Sequence, residues 1–197
     1  MSGEVTLVSK HCFGALILSG LLTVTAWAED KAAVTRALAA CGPDDFQFDV
    51  KTDKHRHPIA QPETGKATVY VIEDQGPECV FCAATIRLGM DGAWVGANHG
   101  RSYFFFTVQA GEHHLCADWQ RLPPVDKVVS LAHFTAEAGK TYYFSTRLTS
   151  GYAGSGYLLD LQPMDSDEAQ FLIASYAFST WKLPNEPAES GGNSQNP

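Results

Sequence analysis

From residue 66 to residue 161 the chain is a succession of short β-prone runs separated by turn-forming residues, and no amphipathic helix interrupts them. Ala67-Thr68-Val69-Tyr70-Val71-Ile72 is rich in β-branched and aromatic side chains, the types that favour a pleated, half-buried surface. Residues 84–88 and 93–96 flank Asp91-Gly92. Asp-Gly between two strand-like runs signals a tight hairpin, because both central residues of its turn need positive φ. Residues 102–108 contain Phe104, Phe105 and Phe106 in succession, so that strand expects cover on both faces. Ala110-Gly111 turns the chain into residues 112–119; runs at 128–135, 140–148 and 157–161 follow, the last two separated by the glycine-rich stretch 151–156. No strand–helix unit of crossover length repeats. The expectation is a mainly β chain: an antiparallel β-sandwich of about seven strands, of immunoglobulin/transthyretin-like type.

Two short helices flank this region. In residues 30–41 Val34, Ala37, Leu38 and Cys41 recur at helical spacing, and Gly42-Pro43 ends the pattern. A polar arm follows to residue 65, with one edge strand expected at 46–50. Asp165 is placed to cap a second helix, with Glu168 three residues on and Ala169, Leu172, Ile173, Tyr176 and Ala177 as its apolar face. The tail 184–197 holds no large apolar residue and is expected to be disordered. The organisation read from sequence is thus a leader over 1–28, helix and arm over 29–65, a sandwich with its C-terminal helix over 66–183, and the tail.

The leader reading rests on an apolar run over residues 12–24 behind Lys10, followed by Ala26-Trp27-Ala28. That run is short for a membrane span, and small-x-small is what a signal peptidase accepts. Cleavage after Ala28 predicts a periplasmic or secreted protein with no membrane span; the alternative is an uncleaved N-terminal anchor. Of the five cysteines, Cys12 falls in the leader, leaving Cys41, Cys79, Cys82 and Cys116. In an oxidising compartment an even number favours disulfides, and three pairings are open. Cys79-Val80-Phe81-Cys82 also has the spacing of a redox or metal motif. The net charge of −8 is a poor match for nucleic-acid phosphates.

Gly100-Arg101-Ser102-Tyr103, then Gln109-Ala110-Gly111-Glu112-His113, then Gly139-Lys140-Thr141-Tyr142-Tyr143 together resemble a bacterial family of unknown function, the one numbered 2846. Ala110 stands where that family usually has proline. The resemblance implies an exported envelope sandwich and carries no activity, cofactor or site residue.

Candidate sites are few. His113 and His114 are adjacent on a strand and so face opposite ways. His113, with Gly111, is read as structural: a neutral core imidazole holding the turn through a backbone hydrogen bond. His55-Arg56-His57, with Asp53 nearby, is a weak metal candidate. Trp94, Trp119, Tyr152 and Tyr157 form a possible sugar or peptide platform. The glycine-rich loop has neither the strand–turn–helix context of a nucleophile elbow nor the Lys-Ser/Thr of a phosphate cradle. The expectation is a non-catalytic binding or interaction module with an envelope protein or glycan as partner and no cofactor. The alternative is a metal- or thiol-dependent enzyme using histidines and the Cys79/Cys82 pair.

Overall fold

A computed structural model of the chain describes residues 35, 38–75, 84–120, 128–150 and 156–182. The expected leader, the Cys79/Cys82 pair, Tyr152 and the expected tail lie outside them. Thr35 and Leu38 are helical and a turn follows at Ala39-Ala40; the other positions of the expected first helix before residue 38 also lie outside. The described elements are β1 (Asp49–Asp53), β2 (Lys66–Glu73), β3 (Thr85–Met90), β4 (Ala93–His99), β5 (Ser102–Gln109), β6 (Gly111–Gln120), β7 (Val129–Ala136), β8 (Thr141–Ser150), β9 (Tyr157–Pro163), α1 (Ser166–Ser175) and β10 (Ala177–Lys182).

They build two sheets. One has six strands in the order β1-β10-β5-β2-β8-β9, the other four in the order β4-β3-β6-β7. Asp91 (φ 51°) and Gly92 (φ 94°) make the tight β3–β4 turn that the Asp-Gly pair requires. Alternation along the strands places one face of each sheet in a shared core. Val69, Val71, Phe104 and Phe144 from the large sheet meet Ile86, Leu88, Leu115 and Ala117 from the small one. Gly96 sits against the large sheet: a Cβ there would lie 2.5 Å from the Phe104 ring.

Three features differ from the sequence expectation. There are ten strands among the described residues, against about seven, and the large sheet is mixed: β2 pairs with β8 in parallel, and β10 with β5 in parallel. Sequence reading excludes parallel pairs by looking for local crossovers. Here β2 and β8 meet only after the chain has passed twice through the other sheet, so no crossover helix is needed. The expected edge strand at 46–50 lies three residues later, as β1 on β10. Ala177, placed on the helix from its spacing, instead begins β10. The helix ends at Ser175 because the following residues alternate across a sheet: Phe178 packs outward against Tyr103, and Ser179 bonds Ser102 inside at 2.7 Å.

Each sheet also has part of its outer face covered, and the two covers differ. Over the large sheet lie α1 and the arm 57–60. Ala169 and Leu172 of α1 pack with Tyr70, Ile72, Tyr103 and Phe178. The helix is capped by Asp165, whose Oδ1 accepts from Asp167 N at 2.8 Å. Its far end is tied by Tyr176, whose hydroxyl donates to Asp74 Oδ1 at 2.9 Å.

Over the small sheet runs a strap, residues 38–48. The disulfide Cys41–Cys116 bonds it to β6. Arg87 on β3 reaches Asp118 on β6 with Nη2–Oδ2 at 2.7 Å, both side chains under a tenth exposed. The same guanidinium donates to Phe46 O in the strap and lies 4.2 Å from the Trp94 ring. Trp94 Nε1 donates to Pro43 O at 2.7 Å, and Gln120 exchanges two hydrogen bonds with the Phe48 backbone. The strap fits because Gly89 has no side chain: a Cβ there would lie 2.7 Å from Ala40 O.

Candidate functional site

The sequence-derived aromatic platform is not one surface. Trp94 points outward and is held under the strap by Pro43 and Arg87. Trp119 is on the inner face, where it meets Tyr157 edge-on at 4.7 Å beside the core. Facing is decided by register: Trp94 pairs with Gly89 across a β-bulge, and Trp119 with Ile86. A sequence shows that tryptophans are present but not on which side of a bulge they fall.

His113 sits at the end of the small sheet where two turns meet. Its Nδ1 is 2.6 Å from Asp91 Oδ2 and its Nε2 is 2.9 Å from Gln109 O. Gln109 O and the Asp91 carboxylate are acceptors, so the two contacts favour the form with a proton on each ring nitrogen. The contacts thus pull against the neutral imidazole expected from the sequence. Burial pulls the His113 pKa down, but the hydrogen bonds to Asp91 and Gln109 and the Asp91 charge outweigh it and raise the group above its ordinary 6.5. Asp91 also accepts from His114 N at 2.8 Å through Oδ1 and donates its own N–H to His114 O. One carboxylate in a positive-φ turn thereby clasps two successive residues of β6. The His113 ring and Gly111 serve the turn.

The His55/His57 pair is not built as a metal centre. Asp53 Oδ1 accepts from His55 N at 2.8 Å, closing a local turn. His57 Nδ1 is 3.1 Å from Ile173 O at the end of α1, which anchors the arm to the helix. Among the described residues no three His, Cys, Asp or Glu side chains converge as a metal-ligating group, and no helix is long and apolar enough to cross a membrane.

Sequence reading missed a groove on the outer face of the large sheet. It has a volume of about 150 Å³ and is walled by Ile59, Ala60 and Pro62 of the arm and by Lys66 and Gly139. Its floor is Tyr70 stacked on Tyr143, rings 5.4 Å apart and 27° from parallel. Tyr70 is fixed because its hydroxyl oxygen accepts from Ala60 N at 2.9 Å, and burial raises its pKa. Lys66 is paired with Glu63 at 2.8 Å on the rim. Ile59 stands 74% exposed above the groove. The volume is below the ~300 Å³ of a small-molecule pocket and suits one side chain or one ring. Only the Tyr142-Tyr143 run hinted at it, since pairing β8 beside β2 is what brings Tyr143 to Tyr70.

Comparison of the chain with family models, curated proteins and solved structures finds no match.

Proposed function

We propose that this chain is an exported protein of the bacterial cell envelope that acts by binding and not by catalysis, with a protein or glycan partner engaging the Tyr70/Tyr143 groove. The observation that carries the reading is the Cys41–Cys116 disulfide. Disulfides persist in oxidising compartments and are rare in the bacterial cytosol. This one holds the strap beside a buried ion pair, so the outer cover of the small sheet depends on it. It agrees with a leader ending at Ala28. Periplasmic or secreted localisation follows from the same two features.

The groove supports the binding half. A fixed aromatic floor beside an exposed isoleucine offers flat apolar area at low entropic cost, which suits a partner's side chain or a sugar ring. The immunoglobulin/transthyretin-like class and kinship with the family numbered 2846 belong to this reading. Support for the kinship comes from where the shared motifs fall. The first opens β5, the second forms the His113 turn, and the third runs from the β7–β8 turn to Tyr143. On this view β1, β10 and the parallel pairings are additions to a simpler sandwich.

The test has two parts. Intact mass of the envelope fraction, alkylated without reductant, should show Glu29 as first residue with Cys41 and Cys116 unmodified. A photo-crosslinking residue at position 59 should capture a discrete envelope component in cells. The same residue at Leu158, 62% exposed on β9, should not. A full-length reduced chain in the cytoplasm sinks the export reading, and identical or absent crosslinks at the two positions sink the groove.

A further inference from the structure

His114 and His133 are direct partners across the antiparallel β6–β7 pair. Side chains opposite one another on one face of such a pair have Cβ atoms about 4.5–5.5 Å apart. The two rings face each other with centroids 6.2 Å apart, tilted by 37°. Glu112 lies two residues before His114 on β6, hence on the same face, and its Oε1 is 3.9 Å from His114 Nε2. His114 and Glu112 are 52% and 66% exposed, and His133 is exposed as well. This placement is separate from the groove, and the His113 ring points to the other face of β6.

Residues i and i+2 of one strand plus the residue opposite on its neighbour form a triangle of donors on one sheet face. Two imidazoles and a carboxylate are the donor set that late first-row divalent ions take. The backbone beneath is rigid: the N–H and C=O of His114 are both bonded to Asp91, so the ligating position is held while the rings stay open to solvent. As the side chains stand, the three donors do not meet at one point. Exposed side chains rotate freely, and it is by such rotation that the donors would come within about 2.1 Å of one ion.

The geometry points to a divalent-metal site formed by Glu112, His114 and His133 on the exposed face of β6 and β7, taking Cu²⁺ or Zn²⁺. Water fills the remaining coordination positions, so the ion is exchangeable. Cu²⁺ binds more tightly than Zn²⁺ in the order usual for imidazole donors.

The experiment titrates Cu²⁺ and Zn²⁺ separately into the purified protein, free of chelator and alkylated beforehand so that no cysteine thiol contributes. Calorimetry gives stoichiometry and affinity, and electron paramagnetic resonance of the Cu²⁺ form gives the number of coordinated nitrogens. One equivalent with two imidazole nitrogens is expected. His114→Ala and His133→Ala should each weaken binding at least about tenfold, no less than the loss of a mere supporting hydrogen bond to a metal ligand, and Glu112→Gln should weaken it less. The double variant His55→Ala/His57→Ala should bind like the parent. Circular dichroism melts confirm that the variants fold, and His133→Asn replaces His133→Ala if it does not. The proposal is overturned by any of three results: no stoichiometric binding in the parent, unchanged affinity in either histidine variant, or loss of the site in His55→Ala/His57→Ala.

Discussion

The two outer covers of the sandwich are held by opposite means. Over the large sheet, α1 and the arm bury aromatic and aliphatic surface: Tyr70, Tyr103, Phe178, Ala169 and Leu172. Over the small sheet, the strap is held by one covalent bond and by hydrogen bonds to Arg87, Trp94 and Gln120, with Ala40, Cys41 and Phe48 as its buried apolar residues. A helix has a wide apolar stripe to offer a sheet. A nine-residue irregular crossing such as 40–48 offers less, so its stability is drawn largely from directional contacts that fail separately. The apolar cover should therefore be insensitive to reductant and pH, and the strap sensitive to chemistry.

The largest effect is expected from the ion pair. Asp118→Ala leaves the Arg87 guanidinium buried without its carboxylate, and breaking a buried ion pair on one side typically costs about 3–5 kcal/mol. Denaturant titration should show that loss. A change below about 1 kcal/mol would mean that Phe46 O and the Trp94 ring satisfy Arg87 unaided, and the contrast between the covers would weaken.

Next comes the disulfide, which closes a separation of 75 residues. Removing a native disulfide typically costs about 2–5 kcal/mol. Cys41→Ser/Cys116→Ser should fall in the lower half of that range, because packing of the strap remains. Hydrogen exchange should report the opening at residues 38–48 while α1 stays protected. Equal loss of protection in α1 would show that the covers are coupled and not independent.

A smaller, pH-dependent effect belongs to His113. Its folded pKa is raised above the unfolded value, so the stabilisation is fully present below about pH 6.5 and is lost as pH rises through the folded pKa. In chelator, so that no metal contributes, the stability gap between the parent and His113→Ala should be about 1–2 kcal/mol at pH 5.5 and should shrink above neutrality. A gap that widens with pH would restore the neutral imidazole. The smallest effect tests the apolar side: Asp165→Ala removes the α1 cap at a cost of about 1 kcal/mol, independent of reductant.

Much of this was legible in the sequence because its determinants are local. Eight of the ten strands lie close to β-prone runs, since side-chain period and turn chemistry act over a few residues. Asp91-Gly92 dictated its turn through φ alone, and Asp165 its cap through one carboxylate. The candidate sites were less legible. The platform of Trp94 and Trp119 separated because a bulge and the register set their faces. The metal triad went unseen because His133 lies beyond the segment 121–127, and only the β6–β7 register sets it opposite His114.

What the sequence by itself determined is the class of the fold: local periodicity, the Asp-Gly turn, the caps, and cysteines enough for the bond at Cys41 and Cys116. Which cysteines pair, that β2 meets β8 in parallel, that Tyr143 lies on Tyr70, and that His113 faces two acceptors were decided only by the tertiary structure. The reason is physical. Periodicity and φ preferences are properties of neighbours in the chain. Register between distant strands is fixed by burying all of them at once, and a donor's protonation is fixed by the acceptors that this register brings to it.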